Sequence, residues 1–144
     1  MEWYPHVTVA TIVQRNGKYL IVEEIDQGRY VFNQPAGHLE AGETLVEAAM
    51  RETREETGWD VLVTRCTGVY HYQSPGNQVT YIRFAFAAEP VQQLEIAIDP
   101  DITAVHWLAL DELEGRLMRS PMVMQCIEDA RNSPGIPLSM IQHL

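Results

Sequence analysis

The chain is poor in cysteine, in basic residues and in long apolar runs, and each shortage excludes a class of protein. Two cysteines, Cys66 and Cys126, in 144 residues supply neither a disulfide framework nor a metal-type spacing. Both are expected as reduced, packed thiols. Lysine and arginine number 10 against 20 acids, a formal charge of −10. That balance argues against a nucleic-acid polymer as partner, because such binding is dominated by cation–phosphate contacts. No apolar run reaches the length of about 18 residues that spans a bilayer, so no membrane partner is expected. The opening MEWYPHVTVATIV carries Glu2 and no basic leader, which predicts no signal peptide and a cytoplasmic protein. Internal repeats, low-complexity tracts and linkers are also missing. Residues 1–144 are therefore expected to form one domain, long enough to bury its own core.

What the chain does have is a pattern of strands around one well-signalled helix. His6 to Val13 and Lys18 to Val22 flank Asn16-Gly17, a strong hairpin signal. Glu23 to Gly28 reads as a polar loop, and Tyr30-Val31-Phe32 begins another strand. Asn33 to His38 mixes turn formers with amide and imidazole groups. Val61 to Tyr72 and Gln78 to Ala88 read as a hairpin about Ser74-Pro75-Gly76-Asn77, and Ile102 to Leu108 as the last strand. Short helices are expected from Asp111 (DELEGRLM) and from Pro121 (PMVMQCIEDAR), followed by a surface tail. Strands interrupted by one long helix and finished by another suggest a mixed sheet sandwiched between helices, an α/β fold.

The helix runs from about Thr44 to Thr57. Thr44 and Glu47 fit a capping box, and Gly58 is placed to end it in a left-handed conformation. At 100° per residue, Glu52, Glu55 and Glu56 fall within an arc of about 100°, which Leu45, Ala48 and Ala49 share. Val46, Met50 and Thr53 form a second flank. Clustered glutamates on a helix are usually a solvated face. Here they continue an apolar stripe, and three anions on a desolvated face must protonate or gain a cation. Oxygen ligands of this kind suit Mg²⁺. Arg51, four residues from both Glu47 and Glu55, can screen and orient the acids.

Gly37, five residues, Glu43, seven residues and then Arg51-Glu52-Thr53-Arg54-Glu55-Glu56-Thr57-Gly58-Trp59 resembles the Nudix box. Thr53 departs from it, standing where the family has an aliphatic residue, which bears on packing. PHVTVA, NQPAGHLEAGETLVEAA, IRF at Arg83 and RSP at Arg119 extend the resemblance to the NudJ-type phosphatase branch of the family. The resemblance implies an α/β/α sandwich with a catalytic loop–helix–loop that presents Mg²⁺, or Mn²⁺ as a substitute, to a diphosphate. It implies Glu52, Glu55 and Glu56 as metal ligands with the Gly37 carbonyl as a fourth, and Glu55 or Glu52 as the residue that holds or deprotonates water. Acids outside the box, Glu95, Asp99 and Asp101, remain alternatives. The implied substrates are nucleoside di- and triphosphates, thiamine pyrophosphate and its hydroxymethylpyrimidine pyrophosphate precursor. Arg83 either pairs with an acid or clamps a phosphate, and Arg119 is either a phosphate contact or surface. Gln34 and His38 either read the substrate's base or satisfy loop backbone. Rival functions are an oxidised-nucleotide or ADP-ribose pyrophosphatase and a non-catalytic nucleotide sensor. The partner is expected to be a small phosphorylated molecule, and the protein a monomer or homodimer.

Overall fold

A computed structural model describes residues 2–144. Asn16 and Gly17 both take positive φ, 52° and 75°, the two-residue turn whose twist matches a hairpin. They join β1 (His6–Arg15) to β2 (Lys18–Asp26). The two strands pair only at Gln14–Tyr19 and Arg15–Lys18 and then separate. β1 continues between β4 (Ala36–His38), antiparallel, and β6 (Thr80–Gln93), parallel. β2 continues between β3 (Arg29–Asn33) and β7 (Ile102–Ala109), both antiparallel. β5 (Trp59–Gln73) pairs with β6 at the far edge, with three register slips. The sheet is mixed, ordered β3-β2-β1-β6-β5, and forked between β1 and β2. The chain crosses that fork from β3 to β4.

Alternation along the strands divides the core in two. Val9, Val13, Leu20 and Phe86 pack with Ala48 and Ala49 of α1 (Leu45–Thr57). Ile12, Tyr19, Ile21 and Ala85 pack with Cys126 and Ile127 of α3 (Met122–Asn132). Helices therefore cover opposite faces, the α/β/α sandwich that the sequence predicts. Burying each large apolar side chain contributes about 1.5–3 kcal/mol. Both cysteines are free and buried in these layers.

Three local expectations need correction and one needs sharpening. Glu23 to Asp26 is strand, because β2 keeps its ladder with β3 and β7 through those charged residues. The helix at Asp111 is only one turn, α2 (Leu110–Leu113), which is followed by Gly115 at φ 80°. The C-terminal tail lies on the surface as expected but is pinned there: Cys66 and Ile136 exchange backbone hydrogen bonds of 3.1 and 2.8 Å, and Leu138 and Ile141 pack on the first core layer. Thr53 belongs to the buried stripe itself. Its hydroxyl donates to the Ala49 carbonyl at 2.7 Å and so must accept from Thr11 Oγ1, also at 2.7 Å.

That last pair answers the departure at Thr53, since a second hydroxyl on β1 meets the first. Thr53→Val strands the Thr11 hydroxyl in the core and is expected to cost about 1–3 kcal/mol. Thr11→Val costs less, because Thr53 keeps its bond to Ala49. A double-mutant cycle by chemical denaturation should show the double variant less destabilised than the sum. Strict additivity would mean that the hydroxyls do not interact.

Candidate active site

Helix α1 is held where its sequence signals place it. Thr44 Oγ1 accepts from the Glu47 backbone N–H at 3.1 Å, and Glu47 Oε1 accepts from the Thr44 N–H at 2.9 Å. Gly58, at φ 77°, donates to the Arg54 carbonyl. Between these caps Arg51 is the hub of the acids. Its Nε and Nη2 grip both oxygens of Glu43 at 2.9 and 2.7 Å, and Nη2 also donates to the His38 carbonyl at 3.0 Å. Nη1 meets Glu52 at 2.9 Å and Glu55 at 3.3 Å. The guanidinium holds Glu43 below the usual carboxylate range. Glu43 thus ties the loop to the helix.

The three box acids occupy different environments. Glu55 sits at the exposed border of the helix, with Glu52 largely covered. Glu56 is only 8% exposed and takes the Ala36 backbone N–H at 2.9 Å. Burial pushes its carboxyl up to about 8, helped by the charges of Glu24, Glu52 and Asp99. Burial also raises Glu52, against the pull of Arg51. Gly37 lies beside Glu52: a Cβ there would come 2.1 Å from the Glu52 carboxyl carbon. The site needs glycine for close approach, since its φ is ordinary.

Gly37, Glu52 and Glu56 line one end of a cavity of about 460 Å³ in the fork between β1 and β2, whereas Glu55, expected among the site acids, is not on its wall. Thr8 of β1, Glu24 and Asp26 of β2, Gly37 and His38 of β4, and Tyr72 and Tyr81 of the β5–β6 pair form its walls. Arg83 stands on its wall yet is only 5% exposed. It donates to Gln34 Oε1 at 3.1 Å and to Asn33 Oδ1 at 3.4 Å, and its Nε has no partner. No carboxylate pairs with it among the described residues. Arg119, also on the wall, is paired with Glu24 Oε1 at 2.8 Å.

The other expected site residues divide. Gln34 is buried behind Arg83, not on the wall, and its Nε2 donates to the Val123 carbonyl at 2.6 Å. It orients the arginine. His38 is on the rim, its Nε2 3.1 Å from His6 Nδ1, and burial and the His6 charge lower its pKa. Tyr4 stacks on the far side of His6. Tyr70 turns away to donate to Asp129. Of Glu95, Asp99 and Asp101, Asp99 reaches the helix, donating its backbone N–H to the Glu55 carbonyl at 2.7 Å without lining the cavity. Glu95 and Asp101 are not on the cavity wall. Glu24, Asn33 and Tyr81 are wall residues that the sequence reading missed. Glu24 had a signal, since it continues the alternation of Leu20 and Val22.

The donor set fits a divalent cation on physical grounds. Two partly desolvated carboxylates, Glu52 and Glu56, face further acids, and added positive charge would relieve both. No three acid, histidine or cysteine side chains converge into a ready-made cage among the described residues. Arg51 supplies the compensation for Glu52 and Glu55 in this geometry.

Known proteins carry the same architecture. The NUDIX domain family matches residues 4–125. The chain is 42% identical to Phosphatase NudJ of Escherichia coli strain K12 over 139 residues, covering 95% of this chain and 90% of that protein. A NUDIX hydrolase structure from Nitrosomonas europaea superposes with a TM-score of 0.95 at 41% identity, covering 98% of each chain. The NUDIX domain of Shewanella oneidensis NrtR, solved with ADP ribose, shares the fold at a TM-score of 0.76 and 17% identity, over 90% of this chain and 88% of that one. Sequence, fold and the carboxylate helix agree: this chain belongs to the Nudix hydrolases, enzymes that act on phosphorus-containing anhydrides.

Proposed function

We propose that the protein hydrolyses a phosphoanhydride bond in nucleoside di- or triphosphates, or in thiamine or hydroxymethylpyrimidine pyrophosphate, with Mg²⁺ as cofactor and Mn²⁺ as a substitute. One observation carries this reading: a buried guanidinium without a carboxylate partner, Arg83, faces the same cavity as Glu52 and Glu56. A buried cation lacking its counter-charge favours an anion. The carboxylate end favours a cation. A diphosphate with a divalent ion is one ligand that satisfies both.

Glu52, Glu55 and Glu56 would hold the metal, with the Gly37 carbonyl as a further ligand. Bound there, it would supply neutralisation of the diphosphate oxygens and acidified water. Glu55 or Glu52 receives the proton of the attacking water. Arg51 keeps both within reach through its bonds to them. Arg83 binds phosphate oxygens and stabilises the charge that develops on the leaving phosphate. Arg119 and His38 contact the remainder of the substrate, while Gln34 serves by fixing Arg83. The enzyme works in the cytoplasm as a monomer or homodimer, forming one domain over residues 1–144.

A panel of phosphorylated compounds with Mg²⁺, resolving orthophosphate from pyrophosphate, tests the reading. Phosphate release from nucleoside di- or triphosphates or thiamine pyrophosphate is expected. Arg83→Gln should lower kcat/KM at least about a hundredfold. Turnover confined to ADP-ribose or oxidised nucleotides would replace the substrate assignment. Tight nucleotide binding without any phosphate release would replace the enzyme with a sensor.

A further inference from the structure

The two arginines of the cavity are not equivalent. Arg83 is buried and has no carboxylate partner among the described residues, whereas Arg119 is held by Glu24 at 2.8 Å. Glu24 Oε1 also accepts from Asn33 Nδ2 at 3.4 Å, and Asn33 Oδ1 accepts from Arg83 Nη2 at 3.4 Å. A polar chain thus runs from Arg83 through Asn33 and Glu24 to Arg119 along the cavity wall. The far end is anchored by backbone. Arg119 donates its N–H to the Phe32 carbonyl at 2.9 Å, and the Phe32 N–H donates to Leu117 at 2.9 Å. Arg119 can therefore change partner by side-chain rotation without moving its backbone.

We propose that Glu24 determines specificity by occupying Arg119, so that one phosphate finds Arg83 open while a second must displace Glu24 to gain Arg119. The proposal rests on the reading that phosphate binds at Arg83. The first phosphate meets a desolvated cation whose Nε lacks a partner, and no ion pair has to break. The second gains one charge-assisted bond only by breaking another of the same kind, so the wild-type gain is small. Release of Glu24 also sets a carboxylate free beside an incoming anion, which makes the exchange harder still. Glu24 thereby sets how strongly the enzyme favours a diphosphate end over a single phosphate.

Calorimetry in Mg²⁺ with orthophosphate and methylenediphosphonate, a diphosphate that cannot be hydrolysed, reads this directly. The measured quantity is the ratio of the two affinities. Glu24→Gln is expected to raise the preference for the diphosphonate by about tenfold. Asp26→Asn removes a charge on the same wall that acts on Arg119 through space but is not bonded to it, so it should strengthen both ligands and move the ratio much less than Glu24→Gln. Arg119→Gln should change the wild-type ratio little and cancel the gain in the Glu24→Gln background. The proposal is overturned by an unchanged ratio in Glu24→Gln, or by an equal rise in Asp26→Asn, which would make the effect general electrostatics. It is also overturned if neither ligand binds. Failure of the underlying reading shows separately, as orthophosphate binding that Arg83→Gln does not weaken.

Discussion

Glu56→Gln is expected to lower turnover by at least about a thousandfold and, at the same time, to make the metal-free protein more stable at pH 8. The two effects share a cause. Burial among Glu24, Glu52 and Asp99 holds the Glu56 carboxyl at about 8, against 4.5 in the unfolded chain. Between those values the native protein keeps a proton that the unfolded chain has released. Stability of the metal-free wild type must therefore decline as pH rises from about 4.5 to about 8 and level off above. A glutamine keeps the acceptor for the Ala36 N–H and has no charge to bury, so its profile should keep only the smaller decline that the raised Glu52 contributes. Thermal unfolding in a chelator at several pH values measures both profiles. Added Mg²⁺ should restore the wild type most at the alkaline end, where the ligand form is ionised, and the variant least. A wild-type profile without the decline would mean that Glu56 ionises normally, and would remove the desolvated carboxylate from the account.

Gly37→Ala is the second large effect, from a change of one methyl group. The added carbon falls 2.1 Å from Glu52 Cδ and 2.3 and 2.4 Å from its oxygens. No contact of that length survives, so the Glu52 carboxylate must swing away or β4 must retreat from the helix. Arg51, already committed to Glu43, resists the first movement, and pairing of Gly37 with Val9 resists the second. Turnover should fall about a hundredfold or more, because an ångström of misplacement costs that much. Folding should survive, since the backbone there is ordinary and the clash is with a side chain. The check is kcat and KM beside a circular dichroism melt. Near wild-type kcat would mean that Glu52 can leave its place without consequence, and would take it out of the proposed metal set.

How much of this was legible depended on whether the deciding contacts were local. The helix at the site could be read in full, because its caps, its arc of acids and Arg51 interact within a few residues of one another. The sandwich followed from the order of strands and helices, while the division of its core into two layers became visible only in the packed strands. Glu24 was lost because consecutive charges look like a loop, while its meeting with Glu56 depends on a fork that no short stretch encodes. Gln34 was left between reading the substrate's base and satisfying loop backbone, because it lies in a polar loop beside the box. Its actual partner, Val123, is 89 residues away in sequence, on a helix whose packing the loop's composition does not report. Arg83 was left between ion pair and phosphate clamp, and only the packed structure shows that no acid reaches it among the described residues. The departure at Thr53 could not be judged without its partner on β1.

The pinned tail has a consequence for how the molecule keeps to itself. β5 is the last strand of the sheet and, at 15 residues, the longest. A strand in that position offers unpaired backbone donors and acceptors that invite another chain. Ile136 takes up both backbone groups of Cys66 near the strand's midpoint. Gly135 makes the approach possible, since at φ 65° any Cβ would strike the Cys66 carbonyl at 2.1 Å. The slips at Asp60–Val61, Val63–Arg65 and Cys66–Gly68 break the remaining edge into short lengths. Gly135 and Ile136 thus interrupt, among the described residues, the longest edge on which copies of the protein could stack and aggregate.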